Sequence, residues 1–279
     1  MKSDRISYTY IEVETKSEFD VWANQHYDVI LYNWYPVTMP WLSEEYVNNR
    51  KDCKHYFLFH DGNMRQNFDK YIFSGSEGKD IHIEEAKKVI ISRPLFTYNG
   101  EYKINSYPTI GSFGFGGWQK GFTELVSKVN NEFDHANINI QMPFAFFGDR
   151  LGKETRKIAD KCRELNTKPG INLEIDHKFL SNERTLEFLA GNDINVFMYH
   201  AANQGLSSVI DYALSVKRPI AITNDTMFKH VYKEGIDAEK HSLSDIINKG
   251  TKPLQEFYDK WNPERFYEDV ERILNEDVK

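Results

Sequence analysis

Residues 195–223, NVFMYHAANQGLSSVIDYALSVKRPIAIT, constrain the fold more than any other part of the chain. The apolar run 196–199 suits a buried strand. A polar loop then leads to Gly205, and Val209, Ile210, Ala213 and Leu214 recur at helical spacing, which predicts a helix over 207–216. Lys217 and Arg218 stand where cations favour a helix C-terminus, Pro219 bars continuation, and residues 220–222 resume as a strand. Strand, glycine loop, helix and strand make one α/β unit. The amides of Gly205, Leu206, Ser207 and Ser208 are expected at the open helix N-terminus, where an anion is favoured. A doubly wound domain contains several such turns, so the turn alone identifies no ligand.

The rest of the chain repeats the alternation. Strands are predicted over 6–13, 27–32, 55–59, 70–73 and 89–91, with helices over 17–24 (capped by Ser17), 39–49 and 83–88 between them. Strands separated by short helices imply a parallel sheet. Residues 98–108 are polar and carry the turn signal Asn99-Gly100, as a linker between two lobes would. Beyond it, strands are predicted from Ile110 and over 138–142 and 172–175. Helices are predicted over 122–129, 153–165, 181–191, 242–247, 253–260 and 264–276. Glu183 and Asp193 read as solvent-facing charges.

Composition excludes several classes. The chain has 279 residues, 40% of them hydrophobic and 14% aromatic, enough for a packed core rather than disorder. Net charge is −7 and no basic run exceeds two residues, which argues against nucleic acid as a partner and shows no basic membrane-docking face. Cys53 and Cys162 are isolated thiols without metal spacing, in keeping with a reducing, cytoplasmic location. No signal-peptide pattern and no apolar run of transmembrane length is seen. His-Glu-x-x-His, Gly-x-Ser-x-Gly and Walker patterns are absent.

The segment QGLSSVIDYALSVKRPIAIT resembles the donor-binding signature of retaining, family-four type glycosyltransferases of GT-B fold. The match is ungapped from Gln204 through Pro219, with Gly205, Leu206, Ser207, Val209, Ala213, Leu214 and Pro219 on the same or similar residues. The family's paired glutamates are replaced by Gln204 and Tyr212, and Asp211 points roughly 100° away from the second position. IGSFGFGGWQKGFTEL resembles the first strand and loop of the family's donor lobe. Lys120 occupies the position of the family's diphosphate-binding lysine, and Ser112 replaces its arginine. Gly114, Gly116 and Gly117 fit either close backbone approach to a ligand or a plain turn. His60, after the apolar run HYFLF, matches a family histidine that lies against the transferred sugar. It equally fits a satisfied histidine at a strand end. Asp61 either orients that ring or starts the turn at Gly62.

The resemblance, covering roughly residues 27–223, implies an α/β, GT-B-like protein with two Rossmann-like lobes and a cleft between them. Its domains would be a shortened N-terminal, acceptor-side lobe over 1–98, a linker over 99–108, a nucleotide-sugar-binding lobe over 109–262 and a helix over 263–279 bracing the first lobe. It implies transfer of a sugar, with retention and without metal or other cofactor, from a nucleotide-sugar donor to a glycan, lipid or small-molecule acceptor. His60 and Lys120 would be catalytic. Gly114, Gln204, Gly205, Leu206, Ser207, Ser208 and Tyr212 would hold the donor. The replaced carboxylates and the short first lobe keep open a catalytically inactive binding or interaction protein on the same fold. An epimerase or phosphorylase of that fold has no supporting motif.

Overall fold

Thr15 closes a capping box with Glu18 and starts helix α1, Lys16–Ala23, two residues earlier than a Ser17 cap would. The elements described here are those of a computed structural model, which describes residues 9–33, 41–59, 68–75, 83–200 and 205–277. His60 and Gln204 lie outside the described residues. The chain divides into two units, residues 1–94 with 260–279, and residues 95–259.

In the first unit, α1 is followed by strand β1 (Val29–Tyr32), helix α2 (Glu44–Asn49) and strands β2 (Lys54–Phe59), β3 (Lys70–Ser74) and β4 (Lys88–Ile91). All pairings are parallel, in the order β1-β2-β3-β4. Residues 9–13 form no strand, contrary to their alternating pattern. A period of two makes a strand only where a sheet edge takes its backbone bonds. Here Val13 packs against the core beneath α1, and Tyr10 is exposed. The predicted helix over 39–49 is a two-turn segment whose cap is Ser43, which accepts from the Tyr46 amide. Residues 83–88 supply only a 3-10 turn, Glu85–Lys87, before β4.

The second unit begins its sheet with β5 (Thr109–Phe113). Then come helix α3 (Phe122–Glu132), β6 (Ala136–Gln141), α4 (Lys153–Leu165), β7 (Ile171–Asp176), α5 (Asn182–Ala190), β8 (Ile194–Phe197), α6 (Val209–Ser215), β9 (Ile220–Ile222), α7 (Leu243–Lys249) and α8 (Gln255–Lys260). The sheet is wholly parallel in the order β7-β6-β5-β8-β9, so the order reverses between β5 and β8. Helices cover both faces, which is why β8 and β9 are buried at every position and read as unbroken apolar runs. The core gathers Ile110, Val126, Ile138, Ile140, Ile158 and Val196. Cys162 lies in it, its thiol pushed up to about 12 by burial. Asp193 is not a free surface charge. Its carboxylate accepts from the Thr109 amide at 2.9 Å and from Asn105 at 3.2 Å, tying the start of β5 to the preceding segment.

The last helix, α9 (Pro263–Asp277), belongs to the first unit. Ile273 is buried against Tyr56, Ile72 and Ile91, with Phe266 and Leu274 alongside, on one face of the four-stranded sheet. Asp269 accepts from both the amide (2.8 Å) and the hydroxyl (3.0 Å) of Ser92, and Lys70 pairs with Glu276 at 3.1 Å.

Candidate functional site

After Phe113 the chain leaves β5 beside β8, its parallel neighbour at the reversal of strand order. An open α/β sheet binds ligands at such a point, outside the carboxyl ends of its strands. Gly114 makes the exit at φ +149°, where a Cβ would sit 3.2 Å from the Tyr199 hydroxyl. The 3-10 turn Trp118–Lys120 follows, and Gly121, at φ +65°, leads into α3. A Cβ on Gly121 would lie 1.8 Å from the Met198 carbonyl oxygen, so only glycine lets the turn pass so close to the end of β8. The His200 amide donates to the Gln119 carbonyl at 2.9 Å and pins the same turn.

These contacts hold Lys120 over an aromatic ring. Its Nζ is 4.0 Å from the centroid of Tyr199, a cation–π contact. Lys120 is half-buried, and burial pushes its pKa down to about 8; the charge of Asp225 works in the opposite direction. Among the described residues it has no ion pair. The Tyr199 hydroxyl is buried with no hydrogen-bond partner among the described residues. Burial raises its pKa, and the neighbouring Ser207 hydroxyl opposes that shift. Thr223 donates to the Tyr199 carbonyl at 2.6 Å, and the Phe228 ring lies 4.8 Å from the Tyr199 ring, so the segments after β8 and β9 close round the same side chain. A desolvated, unpaired ammonium beside glycine backbone and hydroxyl groups suits an anionic ligand.

Of the residues singled out by sequence, Gly114, Lys120 and Ser207 meet at Tyr199. The four amides expected at the helix start do not all face outward: that of Ser207 donates to the Met227 carbonyl at 3.1 Å. The cause is the 3-10 turn Thr226–Phe228, which packs its backbone on the loop and delays the helix to Val209, with Ser208 as N-cap and Gly205 and Leu206 before it. Tyr212 takes a different direction. Its ring packs on Phe96 at 4.7 Å and Phe113 at 5.8 Å, and its hydroxyl donates to Asn182 at 2.8 Å. Ser112 is buried within β5. Tyr199 and Asp225 were not among the sequence candidates. Tyr199 ends an apolar run, where its ring reads as core, and Asp225 carries no motif.

Solved structures of similar architecture include glycosyltransferases. Sucrose-phosphate synthase from Thermosynechococcus elongatus is 12% identical and superposes with a TM-score of 0.68 over 93% of this chain and 76% of its own. HepE from Anabaena, in complex with UDP and glucose, is 11% identical, with a TM-score of 0.63 over 90% of this chain and 78% of its own. TarM from S. aureus, in complex with UDP among other ligands, is 14% identical, with a TM-score of 0.58 over 81% of this chain. This chain spans about half the length of TarM, 52%. No family model matches the chain, and no curated protein matches its sequence. Two parallel-sheet α/β units with these neighbours make the fold GT-B, Rossmann-like.

Proposed function

We propose that this chain is a glycosyltransferase of the retaining, family-four type that takes a nucleotide-sugar donor without a metal. The observation that carries this proposal is Lys120: half-buried, unpaired among the described residues and held at the strand-order reversal of the second unit. The acceptor hydroxyl oxygen bonds to the anomeric carbon as the bond from that carbon to the diphosphate oxygen breaks; the electron pair of the broken bond leaves on the diphosphate, whose oxygen takes the acceptor proton. The Lys120 ammonium meets that growing charge partly out of water, where its field is stronger than in bulk solvent. Gly114 admits the phosphates closely, and the loop at Gly205, Leu206 and Ser208 offers further polar backbone. Gln204 hydrogen-bonds the sugar hydroxyls, and His60 stands on the acceptor side; both assignments rest on the motif alone. Tyr212 contributes its ring at the donor edge, since its hydroxyl is taken by Asn182. Residues 109–262 would form the donor lobe and residues 1–98, with the 263–279 helix, the acceptor-side lobe. The acceptor is a glycan, lipid or small molecule carrying a hydroxyl.

The buried Ser112 and the engaged Tyr212 hydroxyl favour a second reading, a protein that binds the nucleotide without transferring sugar. Thermal shift with UDP and UDP-glucose tests both, because a ligand of the native state raises the melting temperature. UDP should bind, and Lys120→Ala should weaken it about ten- to a hundred-fold, the worth of a charge-assisted contact. Gln204→Ala should leave UDP affinity unchanged and weaken UDP-glucose. Binding without sugar release against any acceptor extract selects the second reading. Absence of any shift with millimolar nucleoside diphosphates rejects both.

A further inference from the structure

The loops after β5, β6 and β7 carry a cluster of projecting aromatic rings on the second unit. Phe146, Phe147 and Phe179 are 68%, 72% and 74% exposed, and Leu151 is 70% exposed. Phe115 joins them, with its ring centroid 6.0 Å from Phe146, 5.2 Å from Phe147 and 6.2 Å from Phe179. Contiguous apolar surface of this kind marks an interaction site, unlike single exposed residues. The loop that presents it is built and not slack. The Asp149 carboxylate accepts from the amide and the hydroxyl of Thr155, both at 2.8 Å, and its own amide donates to the Ala145 carbonyl at 2.7 Å. Arg156 donates to the Leu151 carbonyl at 2.5 Å and lies over the Phe144 ring at 4.7 Å.

We infer that this aromatic cluster docks the protein on an anionic lipid surface. Charge selects the occupant. Arg150, Lys153 and Arg156 flank the rings and have no ion pair among the described residues. Of the two acids in the same stretch, Glu154 is paired with Lys157 at 2.6 Å, and Asp149 keeps its charge while accepting from Thr155, so residues 149–157 carry four cations against two carboxylates. The loop after β6 is therefore net cationic, while beside Phe179 the charges of Lys178 and Asp176 offset each other at 4.0 Å, in a chain whose net charge is −7. Shape selects it too. The phenylalanines are projections, and a fluid interface receives projections without a matching cavity. Aromatic rings at headgroup depth with basic residues beside them combine apolar burial with attraction to anionic headgroups. No helix among the described residues is long and apolar enough to cross a membrane, so such contact would be peripheral. Phosphatidylglycerol-type headgroups supply the negative charge that the three cations lack.

Vesicle co-sedimentation of the full chain tests the inference. Vesicles of phosphatidylcholine with about 30 mol% phosphatidylglycerol should retain the protein, vesicles of phosphatidylcholine alone should retain far less, and high salt should weaken retention. The Phe146→Ser/Phe147→Ser double variant should lower partitioning about tenfold or more through lost apolar burial. Arg150→Glu/Lys153→Glu should do so by a similar factor and remove the preference for anionic lipid. Both variants should keep the wild-type melting temperature, because the side chains are exposed, and Tyr10→Ser, at an exposed aromatic of the first unit, should bind as wild type. Wild-type protein left in the supernatant at millimolar anionic lipid overturns the inference, as does undiminished binding by the phenylalanine variant. A wild-type dimer that the same variant converts to monomer also overturns it, since a second copy of the chain would then be the occupant.

Discussion

Replacing Lys120 by methionine should make the unliganded protein more stable while it weakens nucleotide binding. Methionine keeps the length and most of the apolar stem, so packing over Tyr199 is nearly conserved. What disappears is a charge held partly out of water. The ordinary lysine value of 10.5 is lowered here to about 8, burial being the main cause. At about 1.36 kcal/mol per pH unit that gap corresponds to about 3 kcal/mol of unfavourable free energy for the charged form. The cation–π contact with Tyr199 returns about 0.5–2 kcal/mol of it. Lys120→Met should therefore gain about 1–3 kcal/mol at pH 7, read by urea denaturation. The pH dependence gives a second handle. Below pH 8 the lysine is charged in both folded and unfolded chains, and the native state carries the whole penalty. Between about pH 8 and 10.5 the native chain gives up the proton while the unfolded chain keeps it, so wild-type stability rises with pH. The methionine variant lacks that rise, and its advantage should shrink across the same interval. A variant less stable than wild type at pH 7, with a parallel pH profile, would show that the ammonium is well solvated or paired, and the case for an anion site at Lys120 would fail with it.

Other outcomes follow from the same coordinates. Gly121→Ala adds a methyl group 1.8 Å from the Met198 carbonyl at a left-handed φ, so it should cost more than about 2 kcal/mol in urea denaturation and displace Lys120, lowering nucleotide affinity as well. Asp269→Ala removes both bonds to Ser92 and should cost about 1–3 kcal/mol, while Ile273→Ala should cost about 2–5 kcal/mol through a cavity under α9. Hydrogen exchange should show both changes as faster exchange in α9 and the first-unit sheet, with the second unit unaffected.

Much of the second unit was legible along the chain. The helix over 153–165 and the strand over 220–222 have the bounds their patterns predict, because each has a clear apolar period and a clear stop signal. Strands β8 and β9 read as apolar runs because a parallel sheet buries both faces. The failures lie where pairing decides the outcome. Residues 9–13 alternate like a strand and form none, since alternation cannot supply a partner edge. Asp193 reads as a surface acid and is tied to Thr109, a contact across 84 positions of sequence.

The candidate site divides in the same way. Ser207 was nameable from a local pattern, a loop leading into a helix start, whereas Lys120 and Gly114 were named because the segment IGSFGFGGWQKGFTEL resembles the donor-lobe motif of a known family. That they converge on Tyr199 is a property of the sheet order, which sets β5 against β8 although more than eighty residues of sequence separate them. The lowered pKa of Lys120 is equally invisible in sequence, because desolvation depends on what surrounds an atom in space and not along the chain. The same holds for the aromatic surface and the cationic loop beside it. No basic run longer than two residues occurs, yet the loops after three neighbouring strands bring Phe115, Phe146, Phe147 and Phe179 together, with Arg150 and Lys153 adjoining them in sequence. Local order in the sequence determined the α/β alternation and the motif residues. Which side chains share one volume, and with what charge, was decided only by the parallel stacking of strands, which gathers their carboxyl-end loops on one edge of the sheet.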